Sequence, residues 1–357
     1  MIDIETAWGD FCGGNYNELD NIPNIENIEN IENRKNNIDK CTDLYISTKT
    51  KMFYLNCNIE LDELFWKIQV MPYYKQQEGI IKKQMKFSCN NNQELDTVIS
   101  KLAEYKNIMT DMQIIKQINN TSGRTKFKDV RKLTIGLSKK DIISYRKKKK
   151  GAFINCFILI LRVLINSAYK EIHIKVFNTG KIEIPGIQYD IYIDLIMDLL
   201  IHILNKYNNK ITHYLKDKTE TILINSNFSC GFYINRNKLY ELLNNKYNIN
   251  CSYDPCSYPG IQCAFYYDSD IIDIELQDGK QKQNKNIVRI SFMIFRTGSI
   301  LIVGKCDENI LQVVYKYIRN ILIKEKSSIF DGINIDIKKK IKKTTKYVKK
   351  IVNIIEN

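Results

Sequence analysis

Apolar and polar residues alternate on both sides of a Thr-Gly pair in two places, KVFNTGKIEIPG from Lys175 to Gly186 and MIFRTGSILIVG from Met293 to Gly304. Alternation with a period of two into and out of a turn predicts a β-hairpin with one buried face. After each hairpin the period lengthens. Ile193, Ile196, Leu199, Leu200 and Ile203 follow the first, and Leu311, Val314, Tyr317, Ile318 and Ile321 follow the second at the same offset. That spacing lays an apolar stripe along a helix. The unit recurs 118 residues apart (293 − 175). Two copies of a hundred or so residues predict a pseudo-twofold domain and not a solenoid, with function where the halves meet.

The segments before the hairpins match as well. LYISTKTKMFYL, from Leu44, reads as a strand, and Asn58 then precedes the amphipathic helix IELDELFWKI. The second half opens alike, with TILINSNFSCGFYI from Thr221 and NRNKLYELLNNKY from Asn235. Further strands start at Gly151 (GAFINCFILILRV) and Tyr258 (YPGIQCAFYYD). Each half is thus strand, helix, several strands and a long helix, an α+β pattern.

Four regions follow: a low-complexity N-terminus over 1–40 (NIPNIENIENIEN) that reads as disordered; a first repeat over 41–210; a second over 211–327; and a basic tail over 328–357. The first repeat carries a lysine-rich insertion at about 73–150, ending RKKKKG, without a counterpart in the second; the helical pattern LDTVISKLAEY from Leu95 makes it a packed appendage.

Composition narrows the function. A formal charge of +14 favours polyanionic partners, although a chain so rich in Lys, Asn, Ile and Tyr owes part of its lysine to AT-rich codons. No apolar run reaches membrane-spanning length, since Arg162 interrupts the stretch from Phe153 to Ile165; an intracellular chain with no membrane partner is expected. Ten cysteines without a CxxC pair and three histidines offer no metal site, and the thiols are expected to be free. Asp268, Asp270, Asp273 and Glu275 lie together without a catalytic motif, and neither a Walker loop nor GxSxG occurs. No enzyme activity, small-molecule substrate or cofactor is expected.

The element order, the Pro-Gly at 259–260 and the FxxGxxxxxG hairpins resemble the TATA-box-binding protein family over about Leu44 to Lys324, most specifically in SYPGIQCAFY and FRTGSILIVG. The low-complexity start and long insertion look like the diverged versions found in large DNA viruses. The resemblance implies a saddle: one curved antiparallel sheet of two pseudo-symmetric halves, helices on its convex side and DNA on its concave side. It implies a transcription initiation factor that binds and bends AT-rich promoter DNA through the minor groove. RNA polymerase and an initiation factor of the B type would be partners, in the host nucleus, a cytoplasmic virus factory or virions. A scaffold that keeps this fold without bending DNA is the alternative.

By resemblance, two aromatic pairs would wedge into base steps: Phe153 with Phe177, and Tyr258 with Phe295. Asn225 would donate to base acceptors, Leu301, Val303 and Met293 would line the groove, and Lys181 would contact phosphate. Leu44 stands where a partner asparagine is expected, and Asn227 replaces an apolar residue. Lys175 and Glu183 also replace apolar residues; equidistant from Thr179, they are expected to form a cross-strand ion pair.

Overall fold

The computed structural model describes residues 41–331, except 106–107, 121, 144–154, 208–211, 272, 274–275 and 283–285. The expectations for the N-terminus, the RKKKKG run, Phe153 and the tail beyond 331 fall outside the described residues.

The strands are β1 (Tyr45–Tyr54), β2 (Gly79–Cys89), β3 (Thr110–Asn119), β4 (Phe127–Gly136), β5 (Cys156–Ile165), β6 (Ala168–Phe177), β7 (Lys181–Ile187), β8 (Glu220–Ser229), β9 (Asn250–Ser252), β10 (Ile261–Asp268), β11 (Ile287–Ile294) and β12 (Ser299–Gly304). They form one curved, open, antiparallel sheet in the order β3-β4-β2-β5-β6-β7-β1-β8-β12-β11-β10-β9. The order mirrors itself about the central β1–β8 pair. Outward from β1 run β7, β6, β5 and β2; outward from β8 run β12, β11, β10 and β9. The segment after Tyr73 therefore differs from expectation. Its first strand, β2, holds the place of β9, so only β4 and β3 are extra, and they prolong the sheet past the first half.

The two Thr-Gly turns dock in the same way. Gly180 and Gly298 have φ of +77° and +79°, and a Cβ on either would lie 2.4 Å from the Cys57 carbonyl oxygen or 2.2 Å from that of Phe232. No side chain fits there. Leu55 N–H donates to the Gly180 carbonyl and Cys230 N–H to the Gly298 carbonyl, both at 2.8 Å. Ile59 N–H to Asn178 and Ile234 N–H to Arg296 complete the same clasp at 2.9 Å each.

Helices cover one face. In the first half α1 (Leu61–Lys67), α2 (Asn92–Ala103) and α3 (Ile193–Tyr207) pack on the sheet. In the second, α4 (Arg236–Glu241) and α5 (Glu308–Lys324) do so. Of the periodic residues, Ile196 and Leu200 on α3 and Leu311, Val314, Ile318 and Ile321 on α5 are buried, while Ile193, Leu199, Ile203 and Tyr317 are half-buried at the margins of the stripe; Met197 and Leu204 complete the buried face of α3. Each half has its own core, one built around Phe65, Phe157, Ile174, Val176 and Ile182, the other around Phe265, Phe292, Ile294, Ile300 and Ile302. Asn235 caps α4 by accepting from Lys238 N–H, but α1 starts after Glu60 and not at Asn58, because the chain from Leu55 to Ile59 is held under the docked turn.

One core position is a lysine. Lys83 of β2 is fully buried, and its ammonium donates to the carbonyls of Phe65 and Ile68, both at 2.6 Å, and to the Tyr105 hydroxyl at 2.9 Å. It thereby satisfies carbonyls that the end of α1 leaves without helical partners. Burial pushes its pKa down to about 7 from 10.5. Between those values the unfolded chain binds a proton that the folded one releases, so stability rises with pH across that window. We predict that the urea stability of the parent chain relative to Lys83→Met increases from pH 7 to pH 9, by at most about 1.4 kcal/mol per pH unit. A difference that does not change with pH would contradict the assignment.

Candidate nucleic-acid interface

Residues opposite one another in an antiparallel pair share a face, so register assigns each side chain to a side of the sheet. In the second half Met293 lies opposite Leu301 and Gln262, Leu301 opposite Asn227, and Val303 opposite Asn225 and Ser291. Their chain neighbours Phe292, Ile294, Ile300 and Ile302 belong to the core under the helices. Met293, Leu301, Val303, Asn225 and Asn227 therefore occupy the opposite face, which no helix of the described residues covers. In the first half Phe177 lies opposite Cys156, Lys175 opposite Ile158 and Glu183, and Glu183 opposite Met52, again on the helix-free face.

The second-half aromatics sit together at the edge of this face. Phe295 continues the alternation of Met293 just past β11, and its ring centre is 5.9 Å from that of Tyr258 at an interplanar angle of 60°. Both rings are half-buried. Gly260 makes room for them: a Cβ there would lie 3.0 Å from a ring carbon of each.

Phe177 takes the place of Phe295, but its strand neighbour is Cys156 where the second half has Gly260. Burial pushes the Cys156 thiol up to about 12, so it is a neutral, space-filling group.

At the centre, Asn225 donates to the Thr48 hydroxyl at 3.2 Å and Asn227 to the Ser47 hydroxyl at 2.6 Å. Asn225 is buried, as are Met293 and Val303, while Asn227 and Leu301 are half-buried. Lys181 is exposed at the start of β7, with its ammonium 5.6 Å from the centre of the Tyr54 ring. The register also revises the partner of Asn225. Met52 faces Glu183 as Asn227 faces Leu301, so two residues earlier Thr50 is the mate of Asn225. Leu44 instead packs against the second core on the helix side. Strand β1 slips register between Ile46 and Thr48 and again between Lys49 and Lys51, which a constant offset in sequence does not anticipate. Thr48, Thr50 and Met52 thus join the face unannounced except by the alternation in ISTKTKM.

Lys175 and Glu183 form the expected pair, with Nζ 2.8 Å from the carboxylate. Their mates are Met293 and Leu301, so the two halves present different chemistry at equivalent places.

Three comparisons bear on this arrangement. No protein-family model matches the chain. A protein of Acanthamoeba polyphaga mimivirus named "TATA-box-binding protein-like" is 24% identical over 196 residues, covering 51% of this chain and 52% of that protein. The chain spans about half the length of this curated relative. Among solved structures, Methanococcus jannaschii TBP aligns with a TM-score of 0.38 and 11% identity over 79% of this chain and 99% of that one. The chain is thus similar in sequence to a TATA-box-binding-protein-like protein of a large DNA virus.

The ion pair yields a direct test. Lys175→Met leaves a buried carboxylate without its closest cation and is expected to cost about 1–3 kcal/mol in urea unfolding. Adding Glu183→Leu, which recreates the second-half pair, is expected to recover most of that loss. Equal costs for the single and double variants would show that the pair is not the source.

Proposed function

We propose that the helix-free face binds duplex DNA along the minor groove of AT-rich promoters, bends it, and so serves in transcription initiation. The observation that carries the reading is the Tyr258–Phe295 pair, set beside the apolar Met293 at the end of a sheet face that no described helix covers, next to a glycine that gives both rings room. Apolar rings at such a place are suited to enter a base step, and the energy of unstacking is offset by the surface that a bent duplex then covers. The amides of Asn225 and Asn227 supply donors of the kind that the acceptors of A·T pairs require, in a groove that scarcely distinguishes A·T from T·A. Width and flexibility of the duplex would therefore dominate recognition.

RNA polymerase and an initiation factor of the B type are the proposed protein partners, held by the helix side and the second-half edge, within the cell nucleus, a virus factory or the virion. The Lys175–Glu183 pair favours one rival reading, a scaffold within a transcription complex that has given up DNA bending, because a carboxylate on the binding face repels phosphate.

Competition between AT-rich and GC-rich duplexes across a salt series separates the two. Groove binding weakens with salt and keeps its preference for AT-rich, flexible steps; a scaffold shows neither behaviour. Replacing Phe295 by Ala is expected to lower affinity for the AT-rich duplex by about 10- to 100-fold, or about 1.4–2.8 kcal/mol, with little change on GC-rich DNA. Loss of affinity that is equal on both duplexes would contradict the wedge.

A further inference from the structure

The extra strands carry a charge pattern that the mirrored halves do not explain. On β2, Gln84 lies opposite Ile158, which itself lies opposite Lys175, so the even-numbered positions of β2 continue the helix-free face. Lys86 lies on that face directly opposite Lys132 of β4. One strand further out, Lys132 is opposite Gln113 of β3, Lys128 opposite Ile118, and Lys116 opposite Val130 after a register shift. The other face of the same strands is core: Met85, Phe87, Leu133 and Ile135 are buried.

Five lysines, 82, 86, 116, 128 and 132, thus share one face of three adjacent strands. The acids near them are few: Asp141 and Asp111 on the same side, and Asp129 on the other. Asp129 is on the helix side, bound to Arg131 at 2.7 Å. Asp141 is taken by Lys82 at 2.7 Å. Asp111, opposite Thr134, is the carboxylate that the register leaves on the lysine face among the described residues of these strands. A merely solvated sheet face intersperses both signs. The second half ends instead at β9, whose Ser252 faces Gln262.

We infer that β2, β4 and β3 form a phosphate-binding flank, continuous with the helix-free face, that holds the backbone of duplex DNA on the first-half side only. This rests on the proposed groove binding. Lysine ammoniums contact phosphate as point charges and displace condensed counterions without reading sequence. The flank adds affinity and a direction to a nearly symmetric frame, because the second half has no counterpart of β4 and β3 and its β9 places Asn250 and Ser252, not lysines, opposite β10.

The test uses the full chain and three duplexes: an AT-rich site with both flanks, and the same site with either flank removed. The slope of log affinity against log salt is expected to be shallower by about 1.8 for Lys86→Gln/Lys132→Gln, at about 0.9 per phosphate contact. Preference for AT-rich over GC-rich DNA should stay unchanged. Removing one flank should weaken the parent chain and leave the variant indifferent, while removing the other should affect both alike. Lys116→Gln/Lys128→Gln, compared at equal thermal midpoint, guards against a folding artefact and should shift the slope the same way. If the parent chain binds the duplex and neither variant changes the slope, the flank is refuted and groove binding stands. If the parent chain binds no duplex, groove binding falls and the flank with it. Retention of polyglutamate by the parent chain but not by the variants, with the DNA slope unaltered, would make this a surface for acidic protein and overturn the inference.

Discussion

The structure depends on two glycines with left-handed backbone, each pressed against a carbonyl at the exit of a central strand. Gly180 over Cys57 and Gly298 over Phe232 leave no space for a methyl group, and the hydrogen bonds around them lock hairpin to strand. In a sheet with one covered face, a slip of one residue would turn every side chain over. The clasp therefore does more than close a turn. By setting the register of β6–β7 and β11–β12 against β1 and β8, it decides that Val176 and Phe292 go under the helices, and that Phe177, Lys175, Met293 and Leu301 go to the other side.

On that frame the halves have diverged in content. The second half keeps an apolar strip, a glycine and two aromatic rings. The first substitutes an ion pair and a thiol at the same places and extends the sheet by two strands. Symmetry in the backbone with asymmetry in the side chains suits a ligand that is itself nearly symmetric, such as a duplex, yet must be held in one direction. The charge arrangement agrees with this, since the lysine face lies only on the first-half side and is separated from the polar pair by the single strand β5.

Much of this was legible in the sequence because its signals are local. The Thr-Gly turns, the alternating arms and the stripes of α3 and α5 are short-range patterns with one structural solution each. The Lys175–Glu183 pair follows from counting outward from a turn. What was not legible depends on long-range pairing. The mate of Asn225 is Thr50, a correspondence visible only in how β1 pairs, with register shifts, against β7 and β8 more than a hundred residues away. The insertion reads as lysine-rich, but only its pairing, β2 with β5 and β4 with β2, puts its lysines on the helix-free face. Lys83 would be taken for one more solvated lysine, and burial beneath α1 is a property of the fold alone.

The account stands or falls on what the helix-free face does to a duplex. The most direct measurement is the end-to-end distance of a short AT-rich duplex, labelled at both ends for energy transfer, with and without the full chain. The account predicts that saturation with protein shortens this distance on the AT-rich duplex and leaves a stiff GC-rich control of equal length unchanged. Saturable binding with no shortening, or equal shortening of both duplexes, would contradict it.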